Sequence, residues 1–561
     1  TTKMLPTLIL LASAVFCAEA YYSSNAWQSL STYPDASDFP ETSLLKNKPN
    51  TAIAFTGGGS RAYVASIGIL AGLYKLDLLK NVRYISGISG GAWATTTYTY
   101  AQGIADDVLL GPVVNPEDLT QSNLKNMNSK CARSFAAANL TLIALNAYNS
   151  KKVDSIAAAW CYGVSKTYLE PAGILPGKKF SWNKDTVNEI VKRNKQLSSS
   201  DFQVPNSNRP FSIIGTTLVG PSDGAPYTAS SQNYTMIEFT PLYVGQMKKL
   251  DVTYQYKLSS HKKRVSGAIE PFAFAVDGDA PLFGLASDHK NALLNVPEPR
   301  RALDLQYAAG ASSYAPGSLI ESLRPPDLYS MGLHFDYWSP SNEVPIAEDT
   351  LFADGGAYEN IPLISFLQRR VPKIVLFFVS TTPLQPAEKY NPYSDPFTGT
   401  ELSDCLTSFF GVLNPNQADW EDRSYQYEKN QVFSRDDYPR VVSALQKAQA
   451  AGNGIITTFT LKTVENSWWG IPAGLSFEIT FSYLGRLKNW ESRLSSEMKP
   501  LLVPSTGADD LSKDIQDGPY AKFPHYATIG GDVTYDRANV LADLTGWSII
   551  QNADTFRKIL S

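Results

Sequence analysis

Apolar residues in the first part of the chain follow two spacings in turn. A short β-type run at residues 51–56 precedes residues 62–79, where apolar side chains recur every three or four positions, as on one face of a helix. A second strand-like run covers residues 82–86, and residues 92–102 are again compatible with a helix. This alternation predicts a parallel sheet with right-handed crossovers.

The same pattern returns far downstream. A strand-like run ends in the segment 350–356, a helix-like run covers residues 361–370, and the nearly continuous apolar stretch 373–380 is typical of a buried parallel strand. The region between the two patterns, about 104–345, is rich in Tyr, Asn and Ser and mixed in periodicity. We therefore expect one elaborated α/β domain with a cap-like insertion, and a further amphipathic helix at 536–547.

Two glycine-rich turns follow the first two predicted strands. The turn at 87–91 places Ser89 between glycines, after a strand and before a helix, which is the layout of a nucleophile elbow. The turn at 57–59 is a glycine triplet, whose backbone N–H groups can gather around a developing oxyanion without obstruction from side chains. Together the turns predict acyl transfer through a serine ester.

A serine hydroxyl needs a base, and the residues themselves leave two candidates open. Asp354 follows a strand-like run and precedes two glycines. If both preceding strands lie in the parallel sheet, Asp354 and Ser89 lie at carboxyl ends of strands, where such sites form. The alternative base is a histidine, because the order Ser89, Asp354, His525 is that of hydrolase triads. No lysine stands out.

A second G-x-S-x-G sequence, at 220–224, competes with the elbow. Its serine is Ser222, but Pro221 restricts the backbone before it and the residues after it lack helical character. Without a following helix there is no elbow, so Ser89 is the preferred nucleophile.

Arg61 lies two residues beyond the glycine triplet, at the predicted start of a helix. Its guanidinium is suited to a phosphate or carboxylate near the reacting ester, in a fork that lysine lacks. The other interpretation is a structural ion pair with a nearby carboxylate.

The segments GGGSRA, GISGGAW and DGG resemble the motifs of the cytosolic phospholipase A2 and fungal lysophospholipase (phospholipase B) family, in the patatin-like superfamily. The resemblance implies a Ser-Asp dyad, with Ser89 as nucleophile and Asp354 as the residue that activates it. It also implies oxyanion-hole amides at Gly58 and Gly59, to which we add Gly90 at the start of the helix after the elbow. The resemblance further implies that Arg61 binds the substrate phosphate. Since a dyad needs no histidine, we expect His525 to be structural.

For the whole chain, the resemblance implies a three-layer α/β fold with a central, mostly parallel sheet. Residues 49–561 then form a single phospholipase catalytic domain that includes the insertion at roughly 104–345. The implied reaction is hydrolysis of fatty-acyl esters of glycerophospholipids or lysophospholipids at a membrane or micelle surface, without cofactor or metal. The rival interpretations are a triad esterase that acts on neutral lipids and a non-catalytic lipid-binding protein on the same fold.

Composition narrows the choice of partners. The 561 residues carry a formal net charge of -4, which argues against nucleic-acid binding because such proteins usually show a concentrated basic face. After the N-terminal apolar run no stretch has the length and purity of a transmembrane helix.

The N-terminal residues predict entry into the secretory pathway. Lys3, an apolar run at 5–17 and an A-x-A end describe a signal peptide over residues 1–20, followed by a leader at 21–48. We expect an extracellular or lysosome- or vacuole-like location. The sequons at Asn139 and Asn233 predict N-glycosylation. In an oxidising compartment Cys131 could pair with Cys161, although spacing alone does not fix the pairing.

Overall fold

The computed structural model describes residues 21–126, 128–221, 227–228, 233–256, 259–285, 291–315, 331–415, 428–528 and 533–561. The predicted signal peptide at 1–20 and the competing serine, Ser222, lie outside the described residues.

The strands are β1 (Tyr21–Trp27), β2 (Thr51–Phe55), β3 (Tyr84–Gly87), β4 (Lys179–Phe180), β5 (Phe202–Gln203), β6 (Phe211–Pro221), β7 (Tyr227–Thr228), β8 (Thr235–Phe239), β9 (Val244–Gln246), β10 (Asp251–Tyr256), β11 (Ser260–Arg264), β12 (Gly267–Ile269), β13 (Ala275–Asp277), β14 (Asn291–Pro297), β15 (Arg301–Ala302), β16 (Leu333–Tyr337), β17 (Glu348–Ala353), β18 (Lys373–Phe378), β19 (Ile455–Lys462) and β20 (Ser476–Tyr483).

The α-helices are α1 (Gly59–Lys75), α2 (Gly90–Tyr100), α3 (Asp106–Leu110), α4 (Gln121–Lys125), α5 (Ala132–Phe135), α6 (Leu140–Asn149), α7 (Ile156–Val164), α8 (Lys184–Arg193), α9 (Leu305–Ala311), α10 (Ile364–Gln368), α11 (Asp404–Thr407), α12 (Tyr438–Ala451), α13 (Lys488–Ser492), α14 (Lys499–Leu502), α15 (Tyr535–Gln551) and α16 (Ala553–Ile559).

One large sheet organises the molecule and confirms the predicted α/β class. Its order is β14-β1-β12-β9-β8-β6-β3-β2-β18-β20-β19, and β17, which carries β16, joins β6. The central block β6-β3-β2-β18-β20 is parallel, as the alternating pattern predicted. Strands β2 and β3 and all but the first residue of β18 are buried, which explains their continuous apolar sequences.

Asp354 does not follow a strand of the parallel block, contrary to what the sequence led us to expect. Strand β17 is antiparallel to β6, whereas β3 is parallel to it. Strand β8 pairs with β6 over residues 214–218 and so overlaps the pairings of both β3 and β17. Since β8 occupies one edge of β6 there, β3 and β17 both lie on the other edge. Strand β3 ends with Gly87 opposite Ile214, and β17 ends with Ala353 opposite Thr217. The two strands therefore run head to head, and their carboxyl ends meet over the middle of β6.

Helix α1 covers the central strands and is packed against α15, the helix predicted near 536–547. A Cβ atom added at Gly68 would lie 2.3 Å from the carbonyl oxygen of Ala542, and one added at Gly72 would lie 2.8 Å from that of Gly546. Backbone therefore packs directly on backbone, which fixes α1 firmly behind the first glycine turn.

Two predicted regions take part in the sheet more than expected. The leader begins with β1, which pairs with β12 and β14, and its side chains at Tyr22, Ser24 and Ala26 are buried in alternation. Residues 104–345 supply β6 to the central block and further strands beside it, so this region is not only a cap. Every residue of β6 is buried, as expected for a strand inside the sheet and not for a segment that covers it.

Candidate active site

Ser89 occupies the strained turn that the motif predicted. It follows β3 and has φ 52° and ψ -122°, a conformation that non-glycine residues rarely adopt. Helix α2 begins at the next residue, and its first N–H groups have no side-chain cap. The Ser89 side chain is therefore presented at a helix N-terminus with the geometry of a nucleophile elbow.

Ser312, which the sequence did not indicate, holds the backbone of this turn. The Ser89 N–H group donates to both the carbonyl oxygen and the hydroxyl oxygen of Ser312, each at 3.1 Å. The same carbonyl accepts the N–H group of Gly355 at 3.1 Å, and the Asp354 N–H group donates to Tyr314 at 3.1 Å. One short segment after α9 thus fixes the serine turn and the aspartate turn together.

Asp354 and Ser89 line the same cavity, and the Ser89 side chain is near enough to lower the pKa of the Asp354 carboxyl. The Asp354 carboxylate also accepts the Gly356 N–H group at 2.8 Å. Burial raises the pKa of Asp354 from 3.8 to about 7, and its interactions with Gly356 and Ser89 only partly oppose this effect. A carboxylate with this pKa can accept and return a proton near neutral pH.

The two glycine turns touch each other. A Cβ atom at Gly90 would lie 2.0 Å from the Gly59 carbonyl oxygen and 2.8 Å from its nitrogen, so only glycine fits there. Gly58 has φ 135° and immediately precedes α1, which also lacks a side-chain cap. The uncapped N-termini of α1 and α2 therefore converge beside Ser89, where their N–H groups can hold a negatively charged oxygen.

Arg61 is buried against the first turn, without a carboxylate partner among the described residues. Its Nε and Nη2 atoms donate to the Val379 carbonyl at 3.2 and 3.1 Å, and Nη1 donates to the Tyr526 carbonyl at 2.6 Å and the Thr528 hydroxyl at 3.0 Å. Burial lowers the pKa of Arg61 to about 10. These bonds use four of its five N–H groups and leave one on Nη2, beside Gly58.

A cavity of about 720 Å³ contains all of these groups. Ser89, Asp354, Arg61 and the glycine turns form one wall. Part of the remaining wall is apolar and comes largely from the predicted insertion, through Trp93, Trp160, Leu140, Leu142 and Leu145. A site of this size, which combines polar groups around Ser89 with apolar side chains, suits an acyl ester.

His525 lies elsewhere. Its Nδ1 atom is 2.6 Å from Asp514 Oδ1, and its Nε2 atom is 3.2 Å from the Leu484 carbonyl oxygen. Both ring nitrogens are therefore engaged away from Ser89 and Asp354. The arrangement is what a structural histidine requires.

The predicted cysteine pair is not formed, which corrects that expectation. Cys131 and Cys161 are separate, buried free thiols. Cys131 Sγ lies beside Gly111, and Cys161 Sγ lies beside Gly310 on α9. The two cysteines pack against different elements, and sequence spacing contains no information about that.

The sequons occupy different positions. Asn139 is exposed and caps α6, because its side chain accepts the Leu142 N–H group at 2.9 Å. Asn233 is partly buried just before β8. In the part of the chain that the structure describes, no helix combines the length and apolar character needed to cross a membrane.

Comparison with known proteins supports the resemblance inferred from the motifs. Mouse cytosolic phospholipase A2 zeta is 40% identical over 65 residues, which are 12% of this chain and 8% of that protein. Human cytosolic phospholipase A2 beta is 54% identical over 46 residues, or 8% of this chain and 6% of that protein. The matches thus span less than a tenth of these relatives. No family model matches the chain.

Among solved structures, human GIVD cytosolic phospholipase A2 aligns with 91% of this chain and 63% of its own, at 13% identity and a TM-score of 0.44. The sequence matches to cytosolic phospholipases A2 zeta and beta confirm the resemblance over a short segment.

Proposed function

We propose that this protein is a serine acyl hydrolase that cleaves fatty-acyl esters of glycerophospholipids, lysophospholipids or both. The observation that carries the proposal is that Ser89, in its strained turn, lines one cavity with Asp354, whose burial raises its pKa to about 7. The short matches to cytosolic phospholipases A2 support the same class of substrate.

The proposed reaction uses the dyad twice. Ser89 Oγ attacks the ester carbonyl while Asp354 accepts its proton, and the N–H groups of Gly58, Gly59 and Gly90 stabilise the oxyanion. Asp354 returns the proton to the leaving alcohol, which leaves an acyl-serine ester. Water then attacks this ester, Asp354 takes the proton from water, and the fatty acid is released as Ser89 regains its proton.

Arg61 is proposed to bind the substrate phosphate. Its charge is buried without a carboxylate partner among the described residues, and one Nη2 N–H group stays available next to the oxyanion amides. A phosphate would supply the missing negative charge beside the buried guanidinium. A neutral ester has no such group, so this arrangement favours phospholipids over neutral lipids.

We also propose that the protein acts after entering the secretory pathway, outside the cell or in a lysosome- or vacuole-like lumen. The N-terminal pattern and the exposure of Asn139 support this proposal. It is checked by N-terminal sequencing of the mature protein and by the mass lost on enzymatic deglycosylation.

The deciding experiment measures fatty-acid release from phosphatidylcholine and lysophosphatidylcholine in the presence of a chelator. We expect release by the unmodified protein and none by Ser89→Ala. Ser222→Ala is the matched control, since it changes the other G-x-S-x-G serine, and it should retain full turnover.

The same assay separates the rival functions. A loss of turnover in folded His525→Ala equal to that in Ser89→Ala would establish a triad instead of the dyad. Release from neutral esters alone would identify a lipase, and lipid binding without release from any ester would identify a lipid-binding protein.

A further inference from the structure

Helix α6 has apolar residues on two faces, and three large ones face outward. Its inner face carries the buried residues Leu140, Ala144 and Ala147, and it packs so closely on α7 that a Cβ atom at Gly163 would lie 3.0 to 3.2 Å from Leu140 and Ala144. Its outer face carries Leu142 and Leu145, each 53% exposed, and Tyr148, 41% exposed.

A helix on a soluble protein normally directs its bulky apolar residues inward. In α6 the inner face packs on α7 through Leu140 and Ala144, whereas Leu142 and Leu145 remain 53% exposed at the edge of the cavity. Single exposed leucines need no explanation, but an aligned stripe at positions 142, 145 and 148 marks an interaction surface.

This outer face is continuous with the candidate active site. Leu142 and Leu145 are exposed to solvent and also line the cavity that contains Ser89 and Asp354. An acyl chain that enters the cavity from the mouth therefore passes these two leucines.

The C-terminal end of the same face is basic. Lys151 and Lys152 close α6 through N–H donation to the carbonyls of Tyr148, at 2.9 Å, and Ala147, at 3.0 Å. Both lysines border a shallow groove that also contains Tyr148. Its charged residues are Lys151, Lys152, Arg301 and Asp154.

Three basic groups against one acidic group give this groove an excess of two positive charges, although the whole chain is negative. Apolar side chains beside lysines are the combination that binds the interface of an anionic bilayer.

We propose that the outer face of α6, formed by Leu142, Leu145, Tyr148, Lys151 and Lys152, docks the protein on an anionic phospholipid surface and places the mouth of the cavity against it. The inference rests on the proposed function, because it explains how a lipid substrate reaches Ser89. The leucines enter the headgroup region, and the lysines contact anionic headgroups.

This face and the sequon at Asn139 compete. Asn139 caps α6 and lines the same cavity, so a glycan on it would stand between α6 and the lipid. Thr141→Ala removes the sequon and keeps the Asn139 cap. If the glycan is present, this variant should bind vesicles more tightly than the glycosylated protein.

The test measures binding of unglycosylated Ser89→Ala protein to vesicles of phosphatidylcholine with and without phosphatidylserine. In this background, Leu142→Gln with Leu145→Gln should weaken binding roughly tenfold or more, since glutamine keeps helix propensity but removes apolar area. Lys151→Gln with Lys152→Gln should weaken binding to phosphatidylserine vesicles by about tenfold and have little effect on phosphatidylcholine vesicles.

The matched control is Leu175→Gln with Leu293→Gln, at leucines that are 53% and 58% exposed elsewhere. Equal binding by the leucine variant and the parent, or an equal loss in the control, would overturn the proposal. A change of oligomeric state without a change in vesicle binding would assign the face to a second copy of the chain instead. If the leucine changes disturb folding, the exposed lysines carry the same test.

Because Ser89→Ala protein is used, binding is measured independently of hydrolysis. Failure to bind therefore refutes the docking face and leaves the proposed reaction intact. Failure of the unmodified protein to release fatty acid refutes the reaction and leaves the binding result standing.

Discussion

Two buried arginines differ in what surrounds them. Arg369 donates all five of its N–H groups, to Glu41, both carboxylate oxygens of Glu238, the Ser365 carbonyl and the Tyr243 hydroxyl. Arg61 donates four, and none of their acceptors is a carboxylate.

The pKa values follow this difference. Burial alone would lower the pKa of Arg369, but Glu238 and its other neighbours raise it well above its usual range. Burial lowers the pKa of Arg61 to about 10, because no carboxylate among the described residues compensates. Asp354 shows the same lack of compensation with the opposite charge, and its pKa rises to about 7.

Burial of a charged residue therefore does not by itself indicate a functional site; the presence or absence of a neutralising partner distinguishes the two regions. In the Arg369 cluster, the charges of Arg369, Glu41 and Glu238 hold the N-terminal segment, β8 and the end of α10 together. At the candidate active site, Arg61 and Asp354 are buried at a cavity without an oppositely charged neighbour among the described residues, an arrangement that costs stability and is typical of functional sites. Changes in the two regions should therefore affect different properties.

The largest effect is expected for Asp354→Asn. Removal of the base should lower kcat for phospholipid hydrolysis roughly 10³- to 10⁴-fold, since general-base catalysis contributes on that scale. The free energy of unfolding at pH 8 should not fall, because the folded protein no longer holds a buried carboxylate charge. If Asp354→Asn greatly lowers the free energy of unfolding and changes kcat little, Asp354 has a structural role like that of Arg369 and is not the base.

The second effect concerns Arg369→Met. This change leaves the carboxylates of Glu41 and Glu238 buried without their cation, so the free energy of unfolding should fall by about 3–5 kcal/mol. Denaturant titration measures it. The kcat of the folded protein should be unchanged, and neutralising both acids as well, in Arg369→Met/Glu41→Gln/Glu238→Gln, should restore part of the stability.

A smaller effect is expected for Arg61→Lys. Lysine keeps the positive charge but cannot make the four anchoring bonds of Arg61 and also present the remaining Nη2 N–H group. The value of kcat/KM for phosphatidylcholine should therefore fall about 10- to 100-fold, the value of one charge-assisted hydrogen bond. A monoacylglycerol, which has no phosphate, is the control substrate. An equal loss for both substrates would show that Arg61 only supports the first glycine turn.

The smallest effect is the pH dependence. Only the Asp354 carboxylate accepts the Ser89 proton, so kcat/KM should rise about tenfold per pH unit below pH 7 and level off above it. The pH dependence of the free energy of unfolding has the opposite sign to that of kcat/KM. The folded pKa lies above the value of 3.8 for a free aspartate, so this group's contribution to stability declines as pH rises from 3.8 to about 7. A rate that falls as pH rises through this range would contradict the assignment.

Local features of the site were predictable from sequence. The turns at 57–59 and 87–91, the helices after them and the strand that begins at residue 373 follow from the glycine positions and from the spacing of apolar residues, which depend only on a few neighbouring residues. The tertiary partners were not predictable. Ser312 contacts the Ser89 turn across 223 residues of sequence, and nothing in its own surroundings indicates that contact.

The sequence alone therefore determined the class of fold, the glycine-flanked turn at Ser89 and the residue types of the candidate site, because these depend on local conformational preferences. Only the tertiary structure decided that β3 and β17 meet head to head on one edge of β6, bringing Ser89 to Asp354. It also decided that Arg369 is neutralised and Arg61 is not. The reason is physical: pairing, burial and charge compensation depend on which distant segments come into contact, and sequence spacing does not encode those contacts.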